Sequence, residues 1–106
     1  MLDLLEVVAE STRRKILHLL SKNEQAVTDI ANEFEISRSA ISQQLLLLEQ
    51  SGLVDARKVG RNRLYKVNPQ GMLKVRQFFL DEFWSNEIDL LVTDAQKYLA
   101  KKERKR

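Results

Sequence analysis

From Ser37 to Gln44 the chain reads Ser-Arg-Ser-Ala-Ile-Ser-Gln-Gln. Apart from Ala40 and Ile41, this leaves Ser37, Arg38, Ser39, Ser42, Gln43 and Gln44, all short or flexible hydrogen-bonding side chains. On a helix, Ala40, Ile41, Leu45 and Leu48 share one face and turn the polar set toward the other. Such a face can recognise the edges of nucleobases. Arg matches guanine with two hydrogen bonds, Gln can match adenine, and Ser serves either, at about 1–3 kcal/mol of discrimination per good contact. Bulkier side chains would hold a helix off the floor of a major groove.

A second polar cluster follows at Lys58, Arg61, Asn62 and Arg63. Val54 to Lys58 and Arg63 to Val67 read as two strands, and Gly60-Arg61-Asn62 supplies the turn. Cations on such a hairpin suit phosphate oxygens, or an Arg placed in a minor groove. Phosphate contacts add affinity and salt dependence rather than sequence choice.

Both clusters need a scaffold. Thr28 is expected to cap a helix with Ile30, Ala31 and Phe34 inward, and Asp29 sits in its first turn, where negative charge suits the helix dipole. A tight polar turn, Glu35-Ile36-Ser37, leads into the polar helix, which Ser37 caps and Ser51-Gly52 ends. Upstream, Leu2, Leu5 and Val8-Ala9 predict a short amphipathic helix. Ser11-Thr12 offers an N-cap for another, which buries Ile16, Leu17 and Leu20. This order predicts a mainly α fold: a winged helix-turn-helix of about five helices plus a two-stranded β-hairpin wing. Two strands alone are marginal, so the hairpin must lean on the helices.

Asn68-Pro69 is a good helix start, and Pro69 is the only proline. The pattern then stays helical to about Ala100, with Ser85-Asn86 the one place to bend it. An unbroken helix of about 32 residues would be about 48 Å long. Trp84, Ile88, Leu91, Ala95 and Tyr98 recur at 4-3-4-3 spacing, the seam of one helix packed on another. Phe79 and Phe83 extend this into an aromatic stripe suited to a core or dimer seam. The expected organisation is one domain over residues 1–106, with 101–106 as a basic tail.

Bulk composition agrees with one small domain whose modest core a dimer would enlarge. Net charge is only +3, but it is unevenly spread. Residues 1–36 hold four Lys/Arg against seven Asp/Glu, residues 37–68 six against two, and residues 69–106 eight against six. The positive excess therefore falls on the polar helix and hairpin, as a phosphate-binding surface requires.

The absence of cysteine rules out disulfides, thiolate metal sites and a thiol switch. His18, the one histidine, falls opposite Ile16, Leu17 and Leu20, so no zinc-type ligand set exists. Asp81, Glu82, Glu87, Asp89 and Asp94 read as a solvated helix face. One His, no Cys and no glycine-rich phosphate loop leave no nucleophile–base pair, so no enzyme, metal or cofactor is expected. No apolar run approaches the roughly 20 residues that span a bilayer, and the N-terminus lacks the marks of a signal peptide. A cytoplasmic protein with no membrane partner is the expectation. Two uses of the fold stay open: reading DNA, or serving as a protein-interaction and dimerisation module.

The motifs also resemble those of a known family. Ser11-Thr12-Arg13-Arg14-Lys15-Ile16-Leu17 resembles the opening segment of ArsR-type winged-helix repressors, with Ser in place of the usual Pro. Ser39 to Leu45, then Leu48-Glu49-Gln50-Ser51-Gly52-Leu53-Val54, resemble the family's reading helix and its exit, and Gly60 to Val67 its wing. Phe83-Trp84, Asp89-Leu90-Leu91 and Tyr98-Leu99 resemble a branch without metal sites. The resemblance implies a homodimeric repressor on double-stranded DNA, with a palindromic operator that often lies near the protein's own gene. Its first and last helices, here 1–10 and 69–100, would be dimerisation helices that form the interface through Leu2, Leu5, Phe79, Phe83, Trp84, Ile88, Leu91, Ala95 and Tyr98. The reading positions map to Arg38, Ser39, Ser42, Gln43 and Gln44; Gln44 stands where many relatives carry His, so base preference does not transfer. A repressor that responds to a small-molecule ligand is the further alternative.

Overall fold

The computed structural model describes residues 3–104. Leu2, expected at a dimer interface, lies outside them. The backbone forms two compact units, Met1–Arg76 and Gln77–Arg106.

The first unit carries α1 (Leu4–Ala9), α2 (Ser11–Lys22), β1 (Gln25–Ala26), α3 (Val27–Ala31), α4 (Arg38–Gln50), β2 (Val54–Val59), β3 (Asn62–Val67) and the start of α5 (Pro69–Glu82). Helix α1 buries Val7 and lays Leu4 and Val8 on the core, while Leu5 is half-buried and Ala9 exposed. Helix α2 begins at Ser11, and its cap is Glu10 rather than Ser11-Thr12. The longer carboxylate reaches two free amides, accepting from Thr12 N and Arg13 N at 3.0 Å each.

Thr28 does not cap α3 either. The helix starts at Val27, and its N-cap Ala26 offers no side-chain bond. The reason lies in β1, an unexpected third strand. Gln25 and Ala26 pair with Tyr65 and Leu64, giving an antiparallel sheet in the order β1-β3-β2. With residue 26 extended in the sheet, the helix must begin directly after it. The pairing gives the hairpin the support that two strands alone would lack.

The core is the set that helical spacing marks. Ile16, Leu17 and Leu20 of α2 meet Ile30 of α3 and Ile41, Leu45 and Leu48 of α4, joined by Val7, Leu53, Val54 and Tyr65. Each fully buried Leu or Ile contributes roughly 1.5–3 kcal/mol. Helix α4 closes in a Schellman motif: Leu53 N donates to Leu48 O at 2.9 Å and Gly52 N to Glu49 O at 3.0 Å, with Gly52 at φ +77°. Asn68 caps α5 as expected, its Oδ1 accepting from Gly71 N at 3.0 Å.

The second unit holds the end of α5 and all of α6 (Asn86–Arg104). The helical pattern from Pro69 to about Ala100 is thus two helices, divided at the Ser85-Asn86 position where a bend was open. Trp84 N folds back to Phe79 O at 2.9 Å, and Ser85 restarts the chain as a cap, its Oγ accepting from Ile88 N at 3.2 Å. Helix α6 runs on through Arg104, so the described part of the basic tail is helical.

Candidate nucleic-acid interface

Helix α3, the connection 32–37 and α4 make the helix-turn-helix. The connection is longer than the Glu35-Ile36-Ser37 turn expected, because α3 stops at Ala31. Phe34 anchors it, packed on the core beneath Lys15, whose Nζ lies 4.5 Å from the ring centroid. Ser37 then caps α4, with Oγ accepting from Ala40 N at 3.1 Å. Since Ile41, Leu45 and Leu48 are fully buried, the opposite face must be bare. Ser37, Arg38, Ser39, Ser42 and Gln43 are all exposed.

Gln44 departs from that set. It is half-buried, and its Oε1 accepts from Arg13 Nη1 at 3.1 Å. The sequence grouped Gln44 with the freely presented residues; the fold turns its oxygen toward α2 instead.

The wing is tighter than expected. Pairing runs from Val54↔Val67 to Val59↔Asn62, so Asn62 belongs to β3 and the turn is Gly60-Arg61 alone. Gly60 has φ +61° and Arg61 does not share the sign, the pattern of a II′ hairpin turn. Lys58, Arg61, Asn62 and Arg63 are exposed. They differ in freedom. Arg63 Nη2 lies 3.4 Å from Glu49 Oε2, and its guanidinium carbon is 5.9 Å from the Tyr65 ring centroid. Among the described residues, Arg38, Lys58 and Arg61 have no carboxylate within ion-pair distance.

Helix and wing meet in a cleft of about 290 Å³, lined by Thr28, Arg38, Ser42, Arg61, Asn62 and Arg63 among others. Two residues in this region escaped the sequence reading. Thr28, a cap by residue type, lines the cleft instead; its place on the helix before the polar one is the signal for that position. Arg13 lies on another helix, and no local pattern marks its contact with Gln44. The cleft gathers cations and hydroxyl and amide donors, the groups that hold a phosphate backbone while neighbouring side chains meet base edges.

The residues expected at a dimer seam lie apart from this cleft in sequence. Leu5 is on α1. Phe79, Phe83 and Trp84 cluster, with ring centroids 5.2, 6.0 and 6.4 Å apart, and Trp84 Nε1 donates to Asp89 Oδ1 at 3.2 Å. Ile88 is half-buried, Ala95 is exposed, and Leu91 and Tyr98 are 68% and 65% exposed. His18 is exposed on α2. Among the described residues no three His, Asp or Glu side chains group closely enough to hold a metal.

The chain is similar to known bacterial transcription regulators. A sequence profile of the bacterial regulatory proteins of the arsR family matches residues 10–56. An HTH-type transcriptional regulator of Mycobacterium tuberculosis is 35% identical, over 78% of this chain and 77% of that protein. The arsenical resistance operon repressor of Escherichia coli is 33% identical, over 81% of this chain and 74% of its own length. A crystal structure described as a possible transcriptional regulator for arsenical resistance superposes with a TM-score of 0.81 at 51% identity, covering 89% of this chain and 97% of that one.

Proposed function

Because the chain belongs to the arsR family of bacterial regulatory proteins, a family of DNA-binding transcription regulators, we propose that it is a homodimeric, sequence-specific repressor without a metal effector. It occupies a palindromic operator and blocks transcription, including that of its own gene. One observation carries this reading: Arg38 and Ser42 of α4 and Arg61 and Asn62 of the wing line one cleft. Arg38, Ser39, Ser42, Gln43 and Gln44 meet bases, while Lys58, Arg61, Asn62 and Arg63 meet phosphates. A DNA-binding role puts the protein in the cytoplasm with the chromosome, and no described helix is long and apolar enough to cross a membrane.

The dimer supplies two reading helices about one turn of DNA apart. Its interface uses the first and last helices, with Phe79, Phe83, Trp84, Ile88, Leu91, Ala95 and Tyr98 on the latter side. The uncovered apolar face of α6 supports this, since large bare patches mark contact surfaces. The whole chain, 1–106, acts as one DNA-binding domain. A metal effector has no ligand set to use: there is no cysteine, and His18 is alone.

The test is Leu91→Asp, read by sedimentation and by titration of a DNA site selected from random fragments. The expected result is a halved mass and weak binding; unchanged mass and affinity would sink the dimer. Affinity that hardly varies with salt would favour the protein-interaction module instead.

A ligand-responsive variant has one observation in its favour. A groove of about 680 Å³ opens between α2, β3 and α5, lined by Leu20, Val67, Met72 and Leu73 together with Lys66 and Arg76. Its occupation by a small molecule that shifts DNA affinity would distinguish this variant from the ligand-free repressor.

A further inference from the structure

We propose that Arg13 is a positioning residue for base recognition: it fixes Gln44 with its oxygen inward and its NH2 outward, making Gln44 a donor to guanine or thymine rather than a reader of adenine. This rests on the DNA-reading role proposed above.

The Arg13 guanidinium is held by three carbonyl oxygens. Nε donates to Val7 O at 2.6 Å, Nη2 to Glu6 O at 3.4 Å and Nη1 to Gln44 Oε1 at 3.1 Å. Its own backbone amide is tied to Glu10 Oε2 at 3.0 Å. Glu6 and Val7 lie toward the C-terminal end of α1, where helix carbonyls lack partners. The guanidinium thus spans from α1 to the reading helix α4.

Arginine has five donors and no acceptor, so the Gln44 atom facing it is the carbonyl oxygen. That settles which end of the amide is free. A glutamine with both ends free can match adenine, its oxygen accepting from N6 and its nitrogen donating to N7. With the oxygen turned to α2, Gln44 presents donors alone. Guanine offers such donors two acceptors, N7 and O6, and thymine offers O4, whereas adenine offers N7 alone beside an N6 amino group left without an acceptor. Residue type by itself predicts adenine; the Arg13 contact reverses the preference.

The experiment selects DNA from a randomised pool with the full chain and with Arg13→Met, Arg13→Lys, Gln44→Ala and Gln44→Glu. One base pair is expected to lose its preference in Gln44→Ala, with a drop in affinity for the wild-type site on the order of tenfold. The wild type should favour guanine or thymine there. Arg13→Met frees the oxygen and should let adenine in at that pair only, leaving the pairs read by Arg38 and Gln43 unchanged. Arg13→Lys keeps a donor for the oxygen and should restore the preference. Gln44→Glu keeps the Arg13 contact, lacks donors and should lose the preference, so it carries the test even if Arg13→Met does not fold. In a Gln44→Ala background, Arg13→Met should change base preference no further.

A wild-type preference for adenine at the Gln44 pair would overturn the proposal. So would a Gln44→Ala loss that is equal on every sequence, which would put the donors on a phosphate. A selected site whose Gln44-dependent pair ignores Arg13→Met removes the Arg13 assignment alone. Failure of the wild type to enrich any sequence removes the DNA-reading role as well.

Discussion

Arg57 grips Glu24 with two hydrogen bonds, Nε to Oε2 at 2.9 Å and Nη2 to Oε1 at 2.7 Å. The pair joins β2 to the residue ahead of β1, on the two flanks of the central strand β3. The Arg57 hydrogen bond holds the Glu24 carboxyl below its ordinary range, with further help from the charges of Arg57 and Lys66. It also raises the Arg57 guanidinium. Arg57 therefore serves the sheet, although it sits on the same hairpin as Lys58 and Arg61. Arg57→Ala should lower the thermal midpoint slightly and leave the salt dependence of DNA binding unchanged. A reduced salt slope would instead place Arg57 on a phosphate.

The unpaired wing cations should behave in the opposite way. Lys58→Ala and Arg61→Ala each remove a charge with no carboxylate partner among the described residues. Each should flatten the plot of log affinity against log salt by about 0.9 and weaken all sequences alike. Filter binding over a salt series, on the selected site and on a scrambled one, checks this. A loss confined to the selected site would mean that the wing reads sequence.

Arg38→Ala and Gln43→Ala should show the reverse signature. Each should cost about 1–3 kcal/mol on the selected site, relax preference at one base pair and spare binding to scrambled DNA. Competition binding against single-base variants of the site measures it. Equal losses on every sequence would remove these residues from base reading.

The parts of this fold that were legible depend on local rules. Ser37 caps α4, and Ile41, Leu45 and Leu48 fill the core, because a cap and a helical period are written within one segment. Strand β1 was not legible, since two residues carry no period, and its partner Tyr65 is far along the chain. Glu10 was passed over because short side chains are the usual caps, whereas here a longer carboxylate reaches two amides. Ser85-Asn86 marks a place to bend, but the apolar spacing carries straight through it, so the pattern alone does not decide between a bend and a break. At the candidate interface, residue chemistry marked Arg38, Ser42 and Arg61, but their meeting in one cleft, and the diversion of Gln44 by Arg13, are tertiary facts.

Gly71 is a residue for which only the fold gives a reason. Glycine inside a helix ordinarily weakens it. Here α5 passes so close to the end of α4 that a Cβ at position 71 would collide with the Gly52 carbonyl oxygen. It would also lie 2.9 Å from the Gly52 carbonyl carbon and 3.2 Å from Leu53 Cα. These are backbone atoms within the Schellman closure, so they cannot swing aside. Gly71→Ala should destabilise the chain by about 1–3 kcal/mol, despite alanine's better helix propensity. Urea denaturation measures it, and a variant as stable as the parent would show that the two helix ends can separate freely.

Glu10 gives a prediction with a definite pH sign. Its carboxylate accepts from the first free amides of α2, and those hydrogen bonds, chiefly that from Thr12, lower its pKa against the opposing effect of burial. The positive end of the helix dipole favours the same charge. Because the folded value lies below the ordinary 4.5, the folded state holds this proton less tightly than the unfolded chain does. The capping contribution is therefore complete above that ordinary value and disappears as pH falls through the lower folded one. Glu10→Gln, which keeps the shape and loses the charge, should cost roughly 0.5–1 kcal/mol near neutral pH. The gap between variant and parent should close as pH falls below that ordinary value and through the lower folded one, because the parent's own carboxylate is then protonating. Paired thermal melts across that range decide it: a gap that stays constant down to acid pH would mean that the charge of Glu10 contributes nothing to the start of α2.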